Sequence, residues 1–525
     1  MMKHLFLIVF FLVELSQIVV AQNNYQRKIY QTGTANSLSE VVFSGEQNTS
    51  SYVISNYSGT NQYESFATIT KFNSNTGTVS STKTYSISGS DFMVNGACKS
   101  NSDGLYMLAS ESNSLTQTGV ICKYNLTSNS FTWRRKLNVS TEPFYFTSIA
   151  YDNDKFLYAL GSVYDNTNGN NDLCITKLDT NGALIWVKIL GESVWEETPN
   201  QIIYNGKREL YVSSVGFTGP FGKPTLIRLD SSGTVLNTLA LSTSSSPRFG
   251  SNQMVTVNGK IICVSQTVVG PSDPGPVLIR VIDSSMVVST NKIISGISVK
   301  SVFAKNNTIL LSGQAPVTSG LSGFRSVRLD DQLNVIGSRY FNHIPTSSIS
   351  SSSSCFINAT NQSTHFFKSG GIDSVFVVKT DAFEFTSCRD TVYTPPLTTL
   401  TYTTIAFNYS YTPLTATLTT ISIPITSSTF STVTLCSGIT TGISSSKSMP
   451  TVSVFPNPAQ DVVYITDAEN TFSSVFVTTV LGEEVMFVDK KEFPLNVGFL
   501  TNGIYFFHFL DAEKRAVGTS KLIKN

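Results

Sequence analysis

Few residues of this chain belong to the types that usually carry catalysis. Beyond residue 21 the histidines are His343, His365 and His508, and the sequence holds no HExxH, GxSxG or P-loop motif. His365 lies in the apolar run HFFKSG, which favours a hydrogen-bonded core histidine over a metal ligand. These residue types predict no catalytic centre, no metal site and no cofactor.

One loop is rich enough in oxygen atoms to suggest a cation. The run DNTNGNND, residues 165–172, offers carboxylate and carbonyl oxygens of the kind that Ca²⁺ prefers. It lacks the alternation and the closing glutamate of an EF-hand loop. A polar connecting loop is therefore favoured, and a calcium site stays the alternative.

The seven cysteines show no CxxC spacing, so zinc and redox motifs are not indicated. Cys122, Cys174 and Cys263 lie inside apolar runs, where cysteine acts as a small buried apolar residue. Cys388 and Cys436 bracket one uncharged segment. A disulfide between them would close a loop for which chain entropy gives about 4 kcal/mol of stabilisation.

The N-terminus indicates export. Residues 1–21 combine Lys3 and His4 with an apolar run and end on Ala21, as in a secretory signal peptide, with a signal anchor as the alternative. No later run reaches the ~18 apolar residues of a membrane span. The net charge of +1 gives no nucleic-acid or membrane-surface footprint. We therefore expect an exported protein.

Residues 22–387 contain a sequence repeat. An apolar run carrying Lys or Arg, followed by Asp or Asn, recurs seven times at spacings of 48 to 54 residues. Three further strand-like runs accompany most copies, and four short strands per repeat is the pattern of a propeller blade. The sequence therefore predicts an all-β protein containing a seven-bladed β-propeller. The basic residues of the seven repeat turns are Lys71, Lys123, Lys177, Arg228, Arg280, Arg328 and Lys379.

Each repeat turn has a physical reading. Asp or Asn hydrogen-bonds its own backbone in a tight turn, and the glycine that often follows supplies a positive φ. The Lys or Arg is expected to be a solvated strand end, with an ion ladder along one face as the alternative.

The stretch YQRKIYQ, residues 25–31, resembles the fourth strand WRRKLNV of another repeat. We expect it to complete the seventh blade beside Lys379, because an open ring would expose strand edges.

The stretch KLDTNGALIW, residues 177–186, resembles the docking pattern of quinoprotein-like propellers. Only this repeat carries the tryptophan. Packing of Trp186 between neighbouring blades is favoured over a quinone site.

Residues 388–436 form a Thr-rich segment. No charged residue occurs from Val392 to Ser446, and Thr alternates with apolar residues as in β-strands. Exposed uncharged strands aggregate, so we expect a small β module of its own or shielding by sugars. Residues 437–450 are rich in Ser, Thr and Gly and indicate a flexible linker.

Residues 451–525 contain four motifs in order: VFPNPAQDVVYI, TVLGEEVM, LTNGIYFFHF and SKLIKN. With these motifs the segment resembles the type A C-terminal sorting domain of type IX (Por) secretion cargo. The resemblance implies a small β-sandwich that engages the type IX secretion machinery, as in bacteria of the Bacteroidetes type. It also implies export through periplasm and outer membrane, after which the protein is secreted or anchored at the outer cell surface. It assigns the sorting motif to Phe455, Pro456, Asn457, Pro458, Ala459, Asp461, Gly482, Gly503, Tyr505 and Lys521.

Two functions of different classes remain for the repeat domain. One is a binding or adhesion module, with a glycan or protein ligand over the central channel or the loop face. The other is a hydrolase or lyase acting on polysaccharide through carboxylates on the blade loops. The scarcity of His and the Ser- and Asn-rich loops favour the binding module, whereas carboxylates paired across one cleft would favour the enzyme.

Overall fold

A computed structural model describes residues 25–525 with gaps. The gaps are 32–36, 48–49, 60–62, 102–103, 114–115, 140–143, 166–168, 192–195, 218–221, 243–247, 269–273, 316–321, 347–348, 370–373, 383, 385, 387–390, 393–396, 399–402, 406–409, 414–415, 428–429, 438–451, 467–471, 481–483 and 512–515. The predicted signal peptide 1–21 and most of the predicted linker lie outside the described residues. The chain divides into two compact units, Met1–Thr440 and Thr441–Asn525. Within the described part, no helix has the length and apolarity needed to cross a membrane.

The first unit is built from β-sheets. Its described residues form seven five-stranded antiparallel sheets, each made of four strands of one repeat and a fifth strand from the Thr-rich segment. The second strand of a repeat is almost wholly buried, as in Ser50–Ser58 with seven consecutive buried residues. Neighbouring sheets cover both faces of such strands, which explains their continuous apolar runs. The architecture is propeller-like.

The strands are numbered in chain order, and the first strand, β1 (Tyr25–Gln31), belongs to sheet 7. Sheet 1 contains β2 (Ser37–Gln47), β3 (Ser50–Ser58), β4 (Phe66–Asn73) and β5 (Val79–Tyr85); sheet 2 contains β6 (Asp91–Lys99), β7 (Gly104–Ser112), β8 (Gln117–Asn125) and β9 (Ser130–Val139); sheet 3 contains β10 (Phe144–Tyr151), β11 (Phe156–Asp165), β12 (Asn170–Asp179) and β13 (Leu184–Gly191). Sheet 4 contains β14 (Glu196–Tyr204), β15 (Glu209–Phe217), β16 (Gly222–Asp230) and β17 (Val235–Ser242); sheet 5 contains β18 (Arg248–Val257), β19 (Lys260–Val268), β20 (Pro274–Ile282) and β21 (Val288–Ile294). Sheet 6 contains β22 (Ser298–Lys305), β23 (Thr308–Gln314), β24 (Ser322–Leu329) and β25 (Val335–Thr346); sheet 7 contains β26 (Ile349–Ile357), β27 (Ser363–Ser369), β28 (Ser374–Lys379) and β1.

The seven sheets form a closed ring. The first strand of each sheet contacts the first strand of the next, and β26 contacts β2. β1 pairs antiparallel with β28, with Tyr25 opposite Lys379. The prediction that residues 25–31 complete the last repeat beside Lys379 is confirmed. One sheet is thus assembled from both ends of the repeat region.

The turns between the third and fourth strands form as their residues dictate. Asp179 Oδ1 accepts hydrogen bonds from the backbone N–H of Asn181 at 2.9 Å and of Ala183 at 2.8 Å. Gly182 follows with φ +80°. Asp230 makes the same pair of bonds, to Ser232 and Thr234. The turn chemistry expected from the repeat is confirmed.

The Thr-rich segment does not fold as a module of its own, so that expectation is wrong. Its seven short strands, hereafter the belt, each pair with the outer edge of a different sheet. The belt visits sheets 6, 5, 4, 3, 2, 1 and 7 in that order, and the partner of its last strand is β1. Strand edges bury their backbone groups by pairing, which is the physical reason that the belt is spread around the ring. Its strands are β29 (Thr391–Val392), β30 (Leu397–Thr398), β31 (Thr403–Ile405), β32 (Ser410–Pro413), β33 (Ala416–Thr420), β34 (Ile425–Ser427) and β35 (Phe430–Ser437).

The second unit contains two sheets around one core. A three-stranded sheet has the order β36–β37–β40, and a four-stranded sheet has the order β39–β38–β41–β42. Apolar residues of both sheets, such as Val463 and Phe507, are fully buried in a common cluster. The predicted small β-sandwich is confirmed. Its elements are β36 (Ser453–Phe455), β37 (Val462–Thr466), β38 (Ser474–Thr479), β39 (Glu484–Asp489), a 3₁₀ turn (Lys490–Glu492), β40 (Leu495–Asn496), β41 (Gly503–Leu510) and β42 (Ala516–Lys524).

Candidate functional site

A β-bulge marks the first strand of every sheet. In β6 the residues Val94 and Gly96 pair with consecutive partners, which leaves Asn95 as an extra residue. The extra residue is Thr147 in β10, Asn200 in β14 and Lys300 in β22. A bulge bends the strand and re-aims the extra side chain. All four of these extra residues line a common cavity.

This central cavity is lined by residues of the seven first strands, β2, β6, β10, β14, β18, β22 and β26, and has a volume of about 330 Å³. That size is at the lower end for a small-molecule site. Amides and hydroxyls dominate its polar lining, with one ammonium, Lys300, and one thiol, Cys355. The described lining residues include no carboxylate. Burial raises the pKa of the Cys355 thiol to about 12, so this sulfur stays protonated and is a poor nucleophile.

Hydrogen bonds between sheets hold the cavity wall in place. Asn95 Nδ2 donates to the Phe146 carbonyl at 2.8 Å, and Gln253 Nε2 donates to the Lys300 carbonyl at 2.9 Å. The hydroxyls of Ser44 and Ser354 lie 2.8 Å apart across the junction of sheets 1 and 7. These bonds are made by side chains of one sheet to the next, so the wall is preorganised.

A second cleft of about 350 Å³ adjoins the cavity and shares Asn95 and Thr147 with it. Glu40, Gln117 and Tyr145 also line it. Burial raises the pKa of the Glu40 carboxyl, and a hydrogen bond from Asn56 Nδ2 at 3.4 Å only partly offsets this effect. The cleft therefore holds a carboxyl group that is easier to protonate than an exposed glutamate.

Sequence reasoning missed these bulge residues. The signal exists, since Asn95, Thr147 and Asn200 lie 52 and 53 residues apart, and Lys300 lies 100 residues, or two repeats, after Asn200. Their types differ, so no residue pattern draws attention to them.

The basic residues of the repeat turns are not solvated strand ends, so that expectation is wrong for most of them. Lys177, Arg280, Arg328 and Lys379 are buried. Lys379 Nζ donates to the Ser74 carbonyl at 2.8 Å, and Lys177 Nζ donates to the Ser231 carbonyl at 2.8 Å, both in the corresponding turn of the next sheet.

Lys71 makes the same kind of bond to the Leu126 carbonyl. Lys123 lies over the ring of Tyr106 at 5.3 Å, and Arg228 forms an ion pair with Glu209. Arg280 donates to Ser265 Oγ at 2.5 Å. Most of these side chains thus connect neighbouring strands or sheets. Because several of their partners are uncharged carbonyl groups, the side chains do not form an ion ladder.

Trp186 also serves the joints between sheets. It packs with Ile227 and Leu229 of sheet 4. A Cβ added at Gly233 would lie 2.8 Å from its ring. Trp133 of sheet 2 donates through Nε1 to the Thr180 carbonyl of sheet 3 at 3.1 Å. The predicted packing of Trp186 between neighbouring repeats is confirmed.

The other chemical candidates divide as follows. His365 is fully buried, with Nε2 at 2.8 Å from Glu384 Oε2, which confirms the core histidine. Cys122, Cys174 and Cys263 are buried free thiols, as expected. Among the described residues, no three His, Cys, Asp or Glu side chains converge as metal ligands. Cys388 and the side chain of Cys436 lie outside the described residues, so their disulfide stays a prediction.

In the second unit the Pro-Asn-Pro stretch is bound to the C-terminal strand. Asn457 Nδ2 donates to the Lys521 carbonyl at 2.6 Å, and Asn457 Oδ1 accepts from the Ile523 N–H at 2.8 Å. Ala459 N–H donates to the Ile523 carbonyl at 2.8 Å. Two motifs more than 60 residues apart are thereby brought together.

The remaining motif residues lie around this joint. Phe455 stacks on Tyr464 with ring centres 5.7 Å apart. The Asp461 carbonyl accepts from the Val497 N–H at 2.7 Å, and Tyr505 Oη donates to the Thr501 carbonyl at 2.9 Å. Gly503 begins β41, Pro456 and Pro458 lie in the bend after β36, and Gly482 lies outside the described residues.

The family comparison agrees with the division of the chain into two units. Residues 453–525 match the family described as the secretion system C-terminal sorting domain. No curated protein matches the chain in sequence. The tail indicates type IX export, with secretion or attachment at the outer surface.

Solved structures similar to the chain include three of note. A phage phi92 endosialidase has 8% identity and a TM-score of 0.38, with 72% of this chain and 74% of that chain covered. The polysaccharide lyase Uly1 has 8% identity and a TM-score of 0.37, with 65% and 89% covered. A subtype N10 neuraminidase-like protein of A/little yellow-shouldered bat/Guatemala has 13% identity and a TM-score of 0.34, with 55% and 94% covered.

Proposed function

We propose that this protein is an exported binding module that takes its ligand in the central cavity. In this proposal the seven sheets are the blades of a seven-bladed propeller. The C-terminal unit directs the chain to the type IX secretion machinery. The observation that carries the proposal is the cavity wall, to which all seven first strands contribute. Ligand sites are typically concave, preformed and furnished with a few convergent polar groups.

The chemistry of the cavity favours binding over catalysis. Its amides and hydroxyls donate and accept hydrogen bonds but do not transfer protons at neutral pH. Glycoside hydrolysis by the usual route needs two carboxyl groups flanking the scissile bond. The described lining of the cavity supplies hydrogen-bond partners instead. Adhesion to a surface glycan or protein is therefore the function that these groups support best.

A polysaccharide hydrolase or lyase remains the second candidate because of one observation. Burial raises the pKa of Glu40 in the adjoining cleft, and a carboxyl group with a raised pKa is suited to act as a general acid. If the protein were an enzyme, Glu40→Gln would abolish its activity. The same change would leave the affinity of a binding module for a cavity ligand largely unchanged.

The test is a screen of the purified mature chain against arrays of polysaccharides and extracellular proteins. Each hit is followed by calorimetry and by assays for reducing ends and unsaturated products. Thr147→Trp would fill the cavity, because Thr147 is the unpaired bulge residue on its wall. Asn75→Trp, in an exposed turn, is the control. Loss of binding in the first variant alone supports the proposal, and retained binding in both overturns the cavity as the site.

A further inference from the structure

The wall of the central cavity fixes Lys300 in position. Lys300 is the extra residue of the bulge between Val299 and Ser301. Its carbonyl accepts from Gln253 Nε2 at 2.9 Å, and the N–H of Val299 donates to Gln266 Oε1 at 2.9 Å. The backbone is therefore tied to sheet 5 on both sides of the side chain. The lysine is held at the cavity rather than in a loop that could swing away.

The charge of Lys300 has no protein partner in the described part of the chain. Its ammonium makes no hydrogen bond and no ion pair there, whereas Lys177 and Lys379 each donate to a carbonyl of the next sheet. Burial is the cause that lowers the pKa of Lys300. An uncompensated, partly buried cation is costly, and an anion that enters the cavity would offset that cost.

Two neighbouring glutamines complement this charge. Gln201 Oε1 accepts from the Met254 N–H, so the Nε2 amide group of Gln201 remains to donate. Gln253 uses its Nε2 on the Lys300 carbonyl, so its Oε1 remains to accept. All three side chains line the cavity. The set offers an ammonium and an amide donor to an anion, and an amide oxygen to a hydroxyl group.

We infer that the central cavity binds the carboxylate of a sugar acid, with Lys300 as its counter-ion. The carboxylate would accept from Lys300 Nζ and Gln201 Nε2, and a neighbouring ligand hydroxyl would donate to Gln253 Oε1. A volume of about 330 Å³ suits one sugar unit. This inference rests on the proposed function, because it names the ligand class of the same cavity.

The experiment uses the mature chain and three probes in calorimetry or ligand-observed NMR: glucuronate, glucose and acetate. Glucose carries a hydroxymethyl group where glucuronate carries the carboxylate, and acetate keeps the carboxylate without the ring. Glucuronate should bind most tightly. Lys300→Met should weaken it about 10- to 100-fold, the range for losing a hydrogen bond to a charged group. Lys300→Arg should retain most of the affinity, and Lys260→Met, an exposed lysine on β19, should bind as the wild type.

Three results would overturn the assignment of Lys300 as the counter-ion of a ligand carboxylate. They are glucuronate binding unchanged in Lys300→Met, glucose binding as tightly as glucuronate, and wild-type protein that binds neither glucuronate nor acetate. Acetate binding as tightly as glucuronate would overturn the sugar assignment. The Thr147→Trp variant separates this outcome from the proposed function. If Thr147→Trp abolishes binding of a ligand from the screen while Lys300→Met does not, the cavity remains the site and the anion assignment is wrong.

Discussion

Arg328 and Glu384 form an ion pair in which neither side chain is exposed. Arg328 Nε donates to Glu384 Oε1 at 3.0 Å, and His365 and Ser363 bind the same carboxylate. Arg328 belongs to β24 of sheet 6, whereas Glu384 follows the last strand of sheet 7. The pair thus ties the end of the repeat region to the preceding sheet.

Removing the charge of Glu384 should destabilise the first unit strongly. Glu384→Gln leaves Arg328 buried without its counter-ion, which costs about 3–5 kcal/mol. Unfolding of the first unit in urea can be followed by tryptophan fluorescence, because all three tryptophans of the chain belong to that unit. Glu111→Gln is the control, since its pair with Lys136 is partly exposed and should contribute at most about 1 kcal/mol. Equal losses in the two variants would contradict this account.

The same carboxylate sets a dependence on pH. Burial alone would raise the pKa of Glu384, but His365, Arg328 and Ser363 outweigh it and lower the pKa to about 2. A lowered pKa stabilises the folded state above the ordinary value near 4.5, and that stabilisation is lost as the pH falls towards 2. The gap in unfolding free energy between wild type and Glu384→Gln should therefore shrink between about pH 5 and pH 2. A gap that stays constant over this window would contradict the assignment.

The contact between Trp186 and Gly233 can be tested against a matched glycine. Gly233 and Gly206 both have positive φ, of +80° and +78°, but a Cβ at Gly233 would meet Trp186 at 2.8 Å while one at Gly206 meets nothing within 4 Å. Gly206→Ala measures the backbone cost alone, of about 1 kcal/mol. Gly233→Ala should cost about 1–3 kcal/mol more from overpacking. In a Trp186→Ala background most of this difference should vanish, because only Cδ of the flexible Lys188 side chain then lies close to the added Cβ, at 3.0 Å. An undiminished difference would place the strain elsewhere.

Some of these features could be predicted from the sequence and others could not. The repeat turns and the closing strand at residues 25–31 follow from local residue types, because Asp179 and Gly182 specify their turn without tertiary help. The belt could not be located, since strands of two to eight residues carry no readable register and their partners lie anywhere in the chain. Glu384 and Lys300 escaped notice because their roles come from neighbours far apart in sequence.

The belt should be required for a soluble first unit. A chain of residues 22–390 lacks β29–β35 and leaves the outer strand of all seven sheets unpaired, whereas residues 22–440 keep the belt; both lack the C-terminal unit. Unpaired edges promote edge-to-edge association. Size-exclusion chromatography should find the longer chain monomeric and the shorter one aggregated. Monomeric 22–390 with an unchanged melting temperature would show that the belt is dispensable.

The C-terminal unit should be needed for export and not for folding of the first unit. Truncation after Lys447 should leave a folded first unit in the periplasm, and residues 451–525 fused to another exported protein should send it to the surface or the medium. Asn457→Ala removes the hydrogen bonds to Lys521 and Ile523 and should lower the exported fraction of the full chain. Immunoblots of cell fractions measure all three. Normal amounts of the truncated chain in the medium would refute the sorting role.

The ligand site is expected to lie in the cavity lined by the ring of first strands. A crystal structure of the mature chain, soaked with the tightest ligand from the screen, tests this most directly. Ligand density is expected inside the cavity, in contact with Lys300 and with residues of several first strands. Ligand density confined to the outer rim, to the belt or to the C-terminal unit, with the cavity holding only water, would contradict it.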